Sequence, residues 1–135
     1  MTEIILVIDN TPDILVVIQQ VMELAGYKVL TALDGESGWQ LFYECLPALV
    51  ILEIILPKID GWEICRRIRQ VSSVPIIVHS ALGTEKDIIR ALKMGADDYL
   101  VKPAMPAIIR TRVAAVLNYQ AKLDELLPQR RLSHG

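Results

Sequence analysis

Aromatic residues are scarce in this sequence: they make up 5% of its 135 residues, and only one of them is a phenylalanine. Hydrophobic residues of all kinds nevertheless account for 53% of the chain. The core must therefore be built from Ile, Leu, Val and Ala, which is the composition of a buried parallel sheet flanked by helices. So few aromatic rings also leave little to stack against a flavin.

A strong net charge, a cysteine framework and long hydrophobic runs are also missing. Cys45 and Cys65 each lie in a predicted helix among apolar residues, where a free thiol acts as a small hydrophobic side chain. The net charge is -2 with both signs interspersed, so the sequence offers no basic face for direct nucleic-acid binding. The first apolar run, at 4–8, is too short for a secretory signal or a membrane span. We therefore expect a cytoplasmic protein without membrane contact.

Five short apolar runs rich in β-branched residues predict five strands, at 4–8, 28–32, 49–52, 75–80 and 98–102. Segments with helical spacing lie between them, and the length suits one domain with one core. Because each strand is followed by one helix and such crossovers are right-handed, the pattern predicts a three-layer α/β fold. The specific prediction is a flavodoxin-like, five-stranded parallel sheet in the order 2-1-3-4-5 with five helices.

The helices are predicted from their end signals and their apolar faces. Gly26 is a C-cap for the first helix, and Thr84 with Asp87 forms a variant capping box for the fourth. Asp-Gly pairs at 34–35 and 60–61 precede the second and third helices. The side chains expected to face inward are Ile14, Ile18, Val21 and Ala25, then Gly38, Leu41, Phe42 and Cys45, then Ile64 and Ile68, then Ile88 and Leu92, and last Ile108, Ile109, Val113 and Val116.

Polar residues stand at the carboxyl ends of four predicted strands: Asp9 and Asn10, Glu53, Ser80, and Lys102. Each alone has an ordinary explanation as a turn, cap or surface residue. In an open parallel sheet, however, these ends meet at a crevice where the strand order reverses. Carboxyl and amide oxygens suit Mg2+, a lysine supplies mobile positive charge, and a hydroxyl binds a phosphoryl oxygen. The set therefore predicts a crevice for phosphoryl transfer, where placement and charge neutralisation do most of the catalysis.

The segments that carry these residues resemble the receiver domains of response regulators in two-component signalling, over nearly the whole chain. The resembling stretches are Ile5 to Asp13, Leu56 to Gly61, Pro75 to Ala81 and Gly95 to Pro103. The resemblance implies that Lys102 contacts the phosphoryl group and that its peptide bond to Pro103 is cis. It also implies that Ser80 is the switch hydroxyl and that the rotamer of Tyr99 reports the switch.

Two positions depart from the family pattern, and both lie at the reaction centre. Asn10 stands where the family has an acidic metal ligand, and Glu53 stands at the position of the phosphoacceptor aspartate. The metal positions would thus be Asp9, Asn10 and Glu53, with weak or absent Mg2+ binding because one charge is lost. Glutamate is longer than aspartate by about 1.5 Å, and a misplacement of about an ångström can cost roughly a hundredfold in rate.

Two interpretations of Glu53 remain open from the sequence. Its carboxylate could imitate the phosphorylated state in part, since it carries negative charge toward Lys102 and Ser80. It could instead pair with Lys102 and lock an inactive form. Either way, the leading hypothesis is an atypical receiver module, not an enzyme, that acts by regulated protein-protein interaction. Its partner would be a histidine kinase, a phosphotransfer protein or a downstream effector.

Two other functions compete with this hypothesis. The first is a conventional receiver that still catalyses Mg2+-dependent self-phosphorylation from a histidine kinase or a small phosphodonor, with Glu53, Ser80 and Lys102 as its catalytic residues. The second is an unrelated flavodoxin-like domain that binds a nucleotide or flavin. That domain would need a Gly-rich phosphate loop after the first strand, where residues 10–13 hold no glycine.

The sequence also suggests a face for self-association and a C-terminal extension. Charges on the predicted fourth helix, fifth strand and fifth helix resemble in part those of receivers that dimerise through this face: Lys86, Arg90, Asp97, Asp98 and Arg112.

We divide the chain into a receiver domain at 1–118 and a helical extension or linker at 119–135. Apolar spacing through Leu123 and Leu127, before Pro128 and the polar residues 129–135, fits either a dimerisation stalk or a linker.

Overall fold

A computed structural model describes residues 2–127. Strands and helices alternate along the chain: β1 (Ile4–Ile8), α1 (Pro12–Leu24), β2 (Lys28–Ala32), α2 (Gly35–Cys45), β3 (Leu49–Leu52), α3 (Gly61–Val71), β4 (Ile76–Ser80), α4 (Glu85–Lys93), β5 (Asp98–Val101) and α5 (Pro106–Leu126). All strand pairs are parallel, and the order is β2-β1-β3-β4-β5. The predicted fold is confirmed. Two strand bounds differ by one residue, since β4 begins at Ile76 and β5 ends at Val101.

The sheet is buried on both faces, as its continuous β-branched runs predict. Alternate residues of the central strands divide between two apolar clusters, so that Leu6 and Leu52 lie in one cluster and Ile5 and Ile51 in the other. The first cluster includes Phe42 of α2 and residues of α3 and α4, and the second includes residues of α1 and α5. Aliphatic side chains fill both layers, in agreement with the scarcity of aromatics.

Helix ends follow the signals read from the sequence. The side chain of Thr84 accepts a hydrogen bond from the amide of Asp87 at 3.2 Å, which confirms the cap of α4. Asp34 and Asp60 cap α2 and α3 in the same way. Gly26 follows α1 with φ of +98°, a left-handed conformation that glycine adopts without strain.

The inward faces of three helices differ from the prediction. In α1 the buried residues are Leu15, Ile18 and Met22, whereas Ala25 is exposed and Ile14 and Val21 are half-buried. The buried face is therefore rotated from the predicted one, and Ala25 lies at the cap and not within the helix. In α4 the buried residue is Ala91, and Leu92 is exposed. In α5 Ile109, Val113 and Leu117 are buried, whereas Ile108 is exposed and Val116 is half-buried.

Helix α5 crosses the predicted boundary after residue 118 without a break and ends at Leu126. Leu123 is half-buried and Leu127 is exposed. The division of the chain at that point stays a prediction. The part of the predicted extension from Pro128 to Gly135 lies outside the described residues. Within residues 2–127, no helix is both long and apolar enough to cross a membrane.

Candidate functional site

The carboxyl ends of the parallel strands bring Asp9, Glu53, Ser80 and Lys102 together. The amide of Glu53 donates to the carbonyl of Ile8 at 2.9 Å, and the amide of Lys102 donates to the carbonyl of Ser80 at 2.8 Å. These bonds continue the strand ladders by one residue and fix where the two side chains begin. The Lys102-Pro103 peptide bond is cis, as predicted.

Lys102 lies between the two acidic side chains. Its Nζ is 2.8 Å from Oδ2 of Asp9 and 3.0 Å from Oε1 of Glu53. Asp9 is 2% exposed, Glu53 is 3% exposed, and the lysine side chain is 12% exposed. Burial by itself would lower the pKa of Lys102, but its hydrogen bonds to the two carboxylates outweigh burial, so the pKa lies above its ordinary value. The lysine is thus held as an ammonium.

The second carboxylate oxygen of Glu53 accepts hydrogen bonds from the backbone. Oε2 lies 2.6 Å from the amide nitrogen of Ile54 and 3.3 Å from that of Ile55. Burial would raise the pKa of Glu53, but hydrogen bonds from the Ser80 hydroxyl and from Lys102 bring it below its ordinary value. Glu53 is therefore an ionised, buried carboxylate with partners on both oxygens.

Two hydrogen bonds lead from Ser80, which lies beside this carboxylate, to Tyr99. The Ser80 hydroxyl beside Glu53 also accepts from the amide of Leu82 at 3.2 Å. The Tyr99 hydroxyl donates to the carbonyl of the same Leu82. Tyr99 and the crevice are thus joined through one residue of the β4-α4 loop.

The loop after β3 is fixed by Gly61. Its amide donates to the carbonyl of Ile54 at 2.8 Å. A Cβ atom at this position would lie 2.4 Å from the carbonyl oxygen of Glu53 and 2.5 Å from Cα of Ile54, so only glycine fits. The Asp60-Gly61 pair therefore both begins α3 and sets the path of the backbone that binds Glu53.

The residues at the predicted metal positions do not suit Mg2+. Asn10 contributes no charge and is exposed. Oδ1 of Asp9 accepts from the amide of Thr11 at 3.0 Å, and its other oxygen is bound by Lys102. Both oxygens of Glu53 have partners too, and no group of three or more His, Cys, Asp or Glu side chains suits a metal within residues 2–127. Mg2+ prefers near-octahedral oxygen coordination, and the protein ligands available here are two carboxylates that already hold hydrogen bonds and one uncharged amide.

Sequence reasoning missed His79, which precedes Ser80 in β4. It is 3% exposed, and among the described residues neither ring nitrogen has a hydrogen-bond partner. Strand alternation turns it away from Ser80, and burial, then the charge of Lys102, lowers its pKa. The available signal was a lone titratable residue inside the apolar run 76–80.

The predicted association face contains both charged and apolar groups. Arg112 pairs with Asp98 at 2.9 Å, whereas Asp97 pairs with Arg69 of α3 at 3.1 Å. The guanidinium of Arg90 lies 4.0 Å from the ring centre of Trp62. Exposed apolar side chains lie on the same three elements: Ile89 and Leu92 on α4, Val101 on β5 and Ile108 on α5. We call these four residues the apolar patch.

Comparison with known proteins agrees with this geometry. The profile of the response regulator receiver domain matches residues 5–114. The chain belongs to this family. Curated relatives include the Guillardia theta protein "Probable transcriptional regulator ycf27", 44% identical over 115 residues, which cover 85% of this chain and 45% of the relative. The alkaline phosphatase synthesis transcriptional regulatory protein PhoP of Bacillus subtilis is 39% identical over 118 residues, which cover 87% of this chain and 49% of that protein.

Solved structures are similar to this receiver over nearly all of their own length. A two-component response regulator from Clostridium difficile has a TM-score of 0.83 at 33% identity, covering 87% of this receiver and 97% of that chain. The BeF3-activated DrrB receiver domain has a TM-score of 0.81 at 32% identity. The match covers 87% of this receiver and 99% of that chain. This receiver spans about half the length of the curated relatives it matches.

Proposed function

We propose that this receiver signals by protein-protein contact, with the carboxylate of Glu53 standing in for a phosphoryl group and without an ordinary phosphorylation cycle. The observation that carries the proposal is the set of donors around Glu53. Lys102 binds one oxygen, the amides of Ile54 and Ile55 bind the other, and the Ser80 hydroxyl lies beside them. In this proposal the protein is not an enzyme but a binding module.

A phosphoryl group in this crevice would need the same kinds of donor. Its oxygens accept hydrogen bonds from ammonium, hydroxyl and backbone amide groups. A carboxylate that only locked an inactive form would need Lys102 alone, whereas Glu53 also engages the loop amides and, through Ser80 and Leu82, is connected to Tyr99. The imitation is partial, because a carboxylate has two oxygens and one charge where a phosphoryl group has three oxygens and more charge.

The surface that would carry the signal is formed by α4, β5 and α5. Tyr99 of β5 is tied to the β4-α4 loop, so the state of the crevice bears on this surface. We propose two kinds of partner for it, a downstream effector protein and a second copy of this chain. The relatives' names describe transcriptional regulators, and we extend to this receiver only the role of controlling such an output through protein contact, without direct binding of nucleic acid.

Phosphate uptake tests the proposal directly. The protein would be incubated with acetyl phosphate and Mg2+, and its intact mass would be measured for one added phosphoryl group. We expect no uptake by the wild type, because Glu53 is overlong and Asn10 lacks a charge. The double variant Glu53→Asp with Asn10→Asp should take up phosphate, since Ser80 and Lys102 remain in place.

The single variants separate the two causes. Glu53→Asp alone should react slowly, and Asn10→Asp alone should react little, because the overlong carboxylate remains. Uptake by the wild type equal to that of the double variant would reject the proposal. A conventional receiver that accepts phosphate from a histidine kinase, a phosphotransfer protein or a small phosphodonor would then be the better account.

A further inference from the structure

The ammonium of Lys102 occupies the place between Asp9 and Glu53 where a divalent cation would have to neutralise them. Its contacts of 2.8 Å and 3.0 Å leave each carboxylate with one oxygen on the lysine and the other on backbone amides. A lysine has three N–H donors, and two are used here. All four carboxylate oxygens of the crevice are therefore already bound.

We infer that Lys102 is the built-in cation of this receiver, which neutralises the buried carboxylates of Asp9 and Glu53 without Mg2+. One ammonium faces two carboxylates, so the three charged groups of the crevice carry a net charge of about -1 without a metal. The third family position, Asn10, adds an amide and no charge. Mg2+ would have to displace the Lys102 ammonium or lie beside its positive charge, and it would have to shed water, with only two anionic ligands in return.

This inference concerns the same crevice but does not rest on the proposed function. A receiver that cannot be phosphorylated could still bind Mg2+, and one that is phosphorylated slowly could still ignore it. The quantity to measure is therefore the change in thermal stability when Mg2+ is added. Phosphate uptake plays no part in this test.

Thermal unfolding of the 135-residue protein, followed by circular dichroism, tests the inference. Melting would be compared in EDTA and in MgCl2, with ionic strength matched by NaCl. A cation present at a hundred times its dissociation constant would raise the midpoint by roughly ten degrees. We expect the wild type to shift by less than about one degree, which on that scale means no significant occupancy. A wild-type shift of several degrees would overturn the inference.

The variant Lys102→Met supplies the positive test. Without the ammonium, Asp9 and Glu53 face each other as unneutralised buried charges, and we expect a midpoint several degrees below the wild type in EDTA. Mg2+ should then recover at least about half of that loss, because it replaces the missing charge.

Lys58 offers a matched control. Its Nζ also lies between two carboxylates, 3.8 Å from Asp34 and 3.9 Å from Glu36, but its side chain is 59% exposed. Lys58→Met should respond to Mg2+ no more than the wild type, because water already screens those charges. A Lys102→Met variant that responds no more than Lys58→Met would also overturn the inference.

Asn10→Asp keeps the inference testable if Lys102→Met does not fold. The added carboxylate should raise the response to Mg2+ by several degrees over the wild type. If the wild type responds as strongly as Asn10→Asp, the crevice already holds a metal and the inference is wrong.

Discussion

The hydroxyl of Tyr99 donates to the carbonyl of Leu82, and the amide of Leu82 donates to the hydroxyl of Ser80 at 3.2 Å. This relationship connects an edge strand to the crevice through a single loop residue. It gives the β4-α4 loop two anchors, one from the crevice and one from β5. The loop therefore lies between the crevice and α4 and is held at both sides.

Tyr99→Phe should loosen the loop without disturbing the crevice. The substitution removes the hydroxyl but keeps the ring, so we expect a loss of about 1 kcal/mol in the free energy of unfolding. Amide hydrogen exchange should increase at residues of the β4-α4 loop and stay unchanged at Ile54 and Ile55. Equal exchange in both proteins at the loop would contradict this prediction.

Glu53→Gln should destabilise the protein by roughly 1–3 kcal/mol, because it leaves the Lys102 ammonium with one anionic partner in place of two. Urea unfolding would measure the change. Glu36→Gln is the control, since Glu36 meets Lys58 at an exposed site and its loss should have little effect. Equal effects of the two substitutions would show that the buried pair contributes no more than a surface pair.

His79 should make stability depend on pH. Its pKa is lowered by burial in the folded protein, whereas in the unfolded chain it is about 6.5. Below about pH 6.5, His79 is protonated in the unfolded chain but stays neutral in the folded protein until the pH is lower. Stability should therefore be full above about pH 7 and fall on acidification, by up to about 1.4 kcal/mol per pH unit.

His79→Leu should flatten this dependence, because the side chain that excludes the proton is gone. Urea unfolding between about pH 5.5 and 7.5 would measure both slopes. The only other histidine, His134, lies outside the described residues, and His134→Gln serves as the control. A His79→Leu protein that keeps the wild-type slope would assign the pH dependence to other groups.

Self-association should depend on the apolar patch. Sedimentation equilibrium is expected to show a dimer that Leu92→Asp weakens at least about tenfold, because the charge would be buried against a second copy. Leu24→Asp introduces the same charge at an exposed position on α1, outside the patch, and should have no effect. A wild type that is strictly monomeric at high concentration would remove the dimer while leaving the receiver fold intact.

Much of the fold could be predicted because its signals are local. Strand runs, helix caps and the Asp-Gly pairs lie within a few residues of the structures they specify. The inward faces of α1 and α4 could not be predicted as well, since burial depends on how each helix rotates against the sheet. In α4, Ala91 meets the core and Leu92 is exposed.

The sequence by itself determined the order of the elements and which residues stand at the strand ends. Both are local features, because strands repeat every two residues, helices repeat every 3.6 residues, and a polar residue marks the end of an apolar run. Only the tertiary structure decided the pairings. Lys102 pairs with both Asp9 and Glu53, and Asp97 pairs with Arg69. Within residues 2–127, His79 is buried and its ring nitrogens have no hydrogen-bond partner. Such contacts join residues far apart in sequence, and their distances follow from how the strands and loops meet in space.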